Sequence, residues 1–117
     1  MKDFRQIQVW HKSHQLVLDI YRVTKGFLPD EKFGLTSQLR RAAASIPTNI
    51  AEGCGKSTDK DFARFLQISY GSANEVDYLL LLAKDLSMLR PDFHDKINNN
   101  LVEVKKMLAA LIRKVRP

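Results

Sequence analysis

Few residues in this chain could carry covalent chemistry, and their spacing argues against most of it. Glu52 and Glu75 are the acidic pair best suited to general acid and base work. No nucleophile, metal set or substrate-binding loop accompanies them, so they read as structural carboxylates, with no catalytic residue assigned and no enzyme expected. His11 and His14 are one helical turn apart and could bring two imidazoles together, but no third ligand is apparent. Cys54 is the single cysteine; it sits between Gly53 and Gly55 with no histidine nearby in sequence to activate it. It reads as a buried or accessory thiol. Gly53-Cys54-Gly55 also lacks the strand, loop and helix context of a dinucleotide fingerprint, and no cofactor is expected.

The stronger signal is charge. Nineteen Lys and Arg against thirteen Asp and Glu leave a formal +6 in 117 residues, with a sequence pI of 9.6. An excess of this sign favours anionic partners. It is patterned: residues 32–51 hold Lys32, Arg40 and Arg41 with no acid, and residues 105–117 hold Lys105, Lys106, Arg113, Lys114 and Arg116 with none. Arg40, Arg41 and the five C-terminal cations are the candidate nucleic-acid contacts. Arg40 and Arg41 point about 100° apart on a helix and cannot share one environment. For either, the alternative is a salt bridge to Glu52, Glu75 or a neighbouring subunit. For the C-terminal group, the alternative is a solvated face that complements a helix dipole. Trp10, Tyr21, Phe62, Phe65 and Tyr70 follow helical spacing and read as core or interface packing.

Positioning these residues falls to helices. Five glycines and four prolines are too few turn signals for a sandwich or barrel. A first pattern, about residues 9–25, repeats through Trp10, Val17, Ile20 or Tyr21, and Thr24, and is stopped by Gly26 and Pro29. A second, 35–52, runs through Leu35, Leu39, Ala42 or Ala43, Ile46 and Ile50. Pro47 inside it predicts a kink or short break at Ser45-Ile46, and Gly53 and Gly55 would allow a left-handed end. A third, 59–88, opens with Thr58 or Ser57 as cap and carries Phe62, Phe65 or Leu66, Ser69, Ser72 or Ala73, Val76, Leu79 or Leu80, Ala83 and Leu86. It would be roughly 40 Å long. The fourth, 93–115, capped by Asp92, spaces Ile97, Leu101, Val104, Leu108, Leu111 and Val115 as a bundle seam. The chain therefore reads as one domain over residues 1–117, an all-α, antiparallel up-and-down four-helix bundle.

Leu79 to Leu82 surround most of one turn, so at least one of them, with Leu82 a candidate, faces away from the core. Such surplus apolar surface favours homo-oligomerisation over a ligand cavity. Trp10, Pro47, Glu52, Glu75, Leu82 and Leu108 are the candidate structural or interface residues. The longest apolar run, Leu79 to Ala83, is far short of a membrane span, and the start of the chain lacks an apolar signal stretch. With one cysteine, this predicts a cytoplasmic protein with no membrane partner.

The run Gly34-Leu35-Thr36-Ser37-Gln38-Leu39-Arg40-Arg41-Ala42-Ala43, continued by Ser45-Ile46-Pro47-Thr48-Asn49-Ile50-Ala51-Glu52-Gly53, resembles the signature of the bacterial four-helix-bundle family named after proteins encoded in intervening sequences of 23S ribosomal RNA genes. Val9-Trp10-His11-Lys12, Phe62-Ala63-Arg64-Phe65-Leu66, Gly71-Ser72-Ala73-Asn74-Glu75 and Leu81-Leu82-Ala83-Lys84 are similar to further family segments. The family in turn resembles the accessory variability determinant of diversity-generating retroelements, which implies a homopentamer acting with RNA and a reverse transcriptase. Charge and resemblance together predict a non-catalytic homo-oligomer that binds RNA or DNA through basic helical surfaces. The alternative is a protein-binding oligomeric scaffold without nucleic-acid contact.

Overall fold

The structure, a computed structural model, describes residues 2–31 and 34–116; Lys32 of the first basic stretch and Pro117 lie outside them. Four helices follow one another: α1 (Gln8–Thr24), α2 (Leu35–Cys54), α3 (Asp59–Asp85) and α4 (Pro91–Val115). Sequence neighbours pack side by side and α1 closes the ring against α4, while the diagonal pairs α1 with α3 and α2 with α4 bring no Cα atoms within 8 Å of one another among the described residues. That is an antiparallel up-and-down bundle. Its longest dimension is 43 Å, close to the roughly 40 Å that a helix of α3's length must span.

Each helix buries one stripe. In α2 the stripe is Leu35, Leu39, Ala42, Ala43, Ile46 and Ile50, matching the sequence periodicity. In α1 the buried face is Val9, Ser13, Leu16, Ile20 and Thr24, whereas Trp10 and Val17 flank it and Tyr21 is exposed. Leu16 and Val17 are both apolar, so periodicity alone could not choose between adjacent registers. In α4 the seam runs through Ile97, Leu101, Val104 and Leu108 and then Ile112, with Leu111 and Val115 half-buried. A straight helix at 3.6 residues per turn drifts off a strict heptad, which moves the last contact on by one residue.

Several ends differ from the sequence reading. The helix runs unbroken through Pro47, so the expected break at Ser45-Ile46 is absent. Side chains reinforce that turn. Asn49 Nδ2 donates to Ser45 O and Oγ, both at 2.9 Å, Ser45 Oγ shares a 2.8 Å hydrogen bond with Ser72 Oγ, and Ser69 Oγ donates to Ile46 O at 2.9 Å. The serines of the α3 stripe thus bind the proline-bearing turn of α2. Neither Gly53 nor Gly55 takes a left-handed conformation. Gly53 instead permits close approach, since a Cβ there would stand 2.9 Å from Phe65 Cβ.

Thr58 caps α3 by accepting the Asp61 N–H at 3.1 Å. The helix stops at Asp85, before Leu86, which is exposed. Ser87 takes φ 60°, and the Met88 and Leu89 N–H groups both donate to Ala83 O, at 2.9 and 3.2 Å. These bonds satisfy the freed end of α3 and fold Leu89 into the core. α4 starts at Pro91 with Arg90 as the capping residue, so Asp92 lies in the first turn and does not cap from outside it.

Candidate functional site

The antiparallel arrangement gathers the start of α1, the end of α2, the start of α3 and the end of α4 at one end of the molecule. Backbone contacts document it: the Lys2 N–H donates to Cys54 O at 2.8 Å, and Gln6 and Ile7 share a groove with Ala110, Leu111 and Lys114. The half of the bundle formed by residues 2–16, 45–70 and 103–116 holds eleven Lys and Arg against five acids. Residues 17–44 and 71–102 hold eight of each. The whole formal excess of +6 therefore falls in one half of the bundle. Nothing in a linear reading joins Lys56, Lys60 and Arg64 to the C-terminal cations; the topology does.

Within that half the cations differ in availability. Lys105 Nζ donates to Asp77 Oδ2 at 2.6 Å with only 18% of its side chain exposed, which fastens α4 to α3. Lys12 pairs with Glu103; the hydrogen bond and charge of Lys12 hold the Glu103 carboxyl below its ordinary range. Lys106, Arg113, Lys114 and Arg116 are exposed and form no ion pair within 4.0 Å among the described residues. Arg113 and Arg116 flank a groove of about 290 Å³ between α3 and α4 with Gln67, Tyr70, Ala109 and Ile112. Phe65 is half-buried, with Lys56 at 5.0 Å and Arg64 at 4.8 Å from its ring centre. Both cations lie within cation–π distance of this ring.

The two arginines of α2 separate as their 100° offset requires. Arg40 is half-buried; its Nε donates to Thr24 Oγ1 at 2.8 Å and its guanidinium lies 4.6 Å from the Tyr21 ring centre. Its partners are on α1 and are not Glu52 or Glu75. Arg41 is exposed and shares an α2–α3 groove of about 550 Å³ with Gln38, Ser45, Thr48 and Glu75. Glu52 lines the groove on the other side of α2 with Phe4, Trp10, His14 and Pro47. The two glutamates thus occupy different grooves, and neither forms an ion pair within 4.0 Å among the described residues.

Both histidines pack against the Trp10 ring, His11 edge-on and His14 stacked. His11 Nε2 donates to Arg5 O at 2.7 Å, and His14 stacks on Trp10 at 5.1 Å. Among the described residues no group of three or more His, Cys, Asp and Glu could hold a metal ion, and no helix is long and apolar enough to cross a membrane. Cys54 is buried, and desolvation pushes its thiol above the ordinary value despite the opposing charge of Lys2. Of the leucine cluster, Leu79 and Leu80 are buried, Leu82 is half-buried and Leu81 is exposed. Tyr78 and Leu81 on the second half of α3, and Leu86 just past its end, are exposed apolar side chains, while Leu108 belongs wholly to the core.

The fold is thus an all-α, antiparallel four-helix bundle. The chain belongs to the family of 23S rRNA-intervening sequence proteins, whose family model matches residues 5–110. It is similar to a crystal structure of a protein of unknown function from the S23 ribosomal protein family of Bacteroides thetaiotaomicron VPI-5482, with 29% identity and a TM-score of 0.83 over 90% of this chain and 95% of that one. A search of curated proteins finds no match.

Proposed function

We propose that this protein is a non-catalytic, homo-oligomeric accessory protein that binds nucleic acid, RNA in the first place, through phosphate contacts from its basic half. The observation that carries the reading is the confinement of the full +6 to one half of the bundle, with Lys106, Arg113, Lys114 and Arg116 exposed and without acid partners among the described residues. Phosphate contacts of this kind position a polyanion without reading its sequence. Arg40 and Lys105 act in the fold, holding α2 to α1 and α4 to α3, while Arg41 stands exposed on the other half. Oligomerisation repeats the basic half by symmetry and multiplies its field. The exposed Tyr78, Leu81 and Leu86 supply apolar surface for that assembly. The resemblance of the family to accessory variability determinants extends the proposal to a pentamer with a reverse-transcriptase partner in a cytoplasmic setting.

The test is binding of size-characterised protein to structured RNA, single-stranded RNA and duplex DNA across a salt series. Binding at about micromolar Kd that weakens steeply with salt supports the reading. No binding at low salt, with oligomers intact, favours the protein-binding scaffold, for which the same exposed apolar side chains are the supporting observation.

A further inference from the structure

The end of the bundle opposite the basic half contains a concavity of about 490 Å³ between the end of α1, the α3–α4 turn and the start of α4. Its wall is apolar: Val23 from α1, Met88 and Leu89 from the turn, and Phe93 and Ile97 from α4. The turn that contributes Met88 and Leu89 is fixed by their paired hydrogen bonds to Ala83 O, so the wall is built before any ligand arrives. Such a volume and lining suit a small molecule with an apolar body.

Charge at the mouth specifies the other end of that molecule. Arg22 is matched by Asp19 at 2.8 Å, and Arg90 by Asp92 at 3.1 Å while it lies 5.2 Å from the Phe93 ring centre. Lys96 lines the same mouth and forms no ion pair within 4.0 Å among the described residues. One uncompensated cation beside an apolar wall calls for one anionic group on an apolar body. We infer that this concavity is a binding site for an amphipathic monocarboxylate, such as a medium-chain fatty acid, with its chain against Val23, Leu89, Phe93 and Ile97 and its carboxylate on Lys96. The site lies in the charge-balanced half and does not depend on the nucleic-acid reading.

The experiment compares sodium decanoate, decylamine and decanol, each kept below its aggregation threshold, by backbone amide NMR shifts. Decanoate should move the Val23, Gly26, Leu89 and Phe93 amides saturably, with a Kd at least tenfold tighter than decylamine and at least threefold tighter than decanol. Lys96→Glu should weaken decanoate at least tenfold. Phe93→Ala, at an exposed position, should weaken decanoate and decanol alike. Replacing Arg113, Lys114 and Arg116 by alanine should leave decanoate binding unchanged. Equal binding of decanoate and decylamine, shifts centred outside this concavity, or insensitivity to Lys96→Glu would overturn the inference.

Discussion

Arg40 reaches across from α2 to the last turn of α1, where its Nε donates to Thr24 Oγ1 at 2.8 Å. The Thr24 hydroxyl is itself directed back along α1, 2.7 Å from Ile20 O, so the cation sits where the helix dipole and the free carbonyls of α1 favour positive charge. Arg40→Ala should cost about 1.5 kcal/mol, the lower end of the range for hydrogen bonds to a charged group, since Arg40 is only half-buried. Thermal unfolding should show a Tm lowered by roughly 4–8 °C, and polyanion affinity should stay within about twofold of wild type. A large loss of affinity in a fully folded Arg40→Ala protein would move this arginine from the fold to the binding surface.

The same division applies to the C-terminal cations. Lys105→Ala breaks the pair with Asp77 and should destabilise by about 1 kcal/mol, read from urea unfolding, with little effect on RNA affinity. The triple replacement of Arg113, Lys114 and Arg116 by alanine should do the opposite. Stability should hold, while the slope of log K against log salt for single-stranded RNA falls by about 2, as expected when three phosphate contacts are lost.

Glycine replacements probe the α2–α3 packing. At Gly53 an added methyl would meet Phe65 Cβ at 2.9 Å and Phe62 Cδ1 at 3.0 Å. Gly53→Ala should therefore destabilise by about 1–3 kcal/mol through forced repacking. Gly71, in the middle of α3 with nothing within 4 Å of such a methyl, should respond in the other direction. Gly71→Ala should stabilise by about 0.8–1 kcal/mol by improved helix propensity. Chemical denaturation of both variants measures the pair, and a Gly53→Ala protein as stable as wild type would contradict the close approach.

Cys54 links burial to alkaline stability. Desolvation raises its thiol in the folded protein, so the folded state retains a proton that the unfolded chain gives up. The contribution is complete below the unfolded thiol's pKa and is lost as pH climbs through the window between the unfolded and folded values. Cys54→Ala should remove that part of the alkaline decline, measured as the urea midpoint from pH 7 to pH 10. In the native protein, thiol labelling near pH 8 should follow the rate of opening; rapid labelling without unfolding would show an accessible thiol.

Four helices, their order and most of the core were legible in the sequence. Burial stripes repeat every three or four residues, and in α2 every predicted position, from Leu35 to Ile50, lies inside. Local chemistry also placed the start of α3, because Thr58 and Asp61 can satisfy free N–H groups without help from elsewhere. The family signature around Pro47 was legible too, although the side-chain bonds that carry the helix through it were not. A proline removes one backbone hydrogen bond, but whether the helix breaks depends on Asn49, Ser69 and Ser72, two of which belong to another helix.

Only the tertiary structure decided which charges are committed and which are free. Arg40 and Arg41 are adjacent and chemically identical, yet one docks on α1 and the other faces solvent. Lys105 and Lys106 divide in the same way against Asp77. A one-dimensional pattern cannot separate such neighbours, because their roles depend on atoms sixteen to twenty-eight positions away. The polarised charge arises likewise from antiparallel packing, which brings the ends of α2 and α4 together with the starts of α1 and α3. Composition determined the size of the excess. Topology concentrated it in one half of the molecule, since each reversal of the chain returns distant segments to the same end.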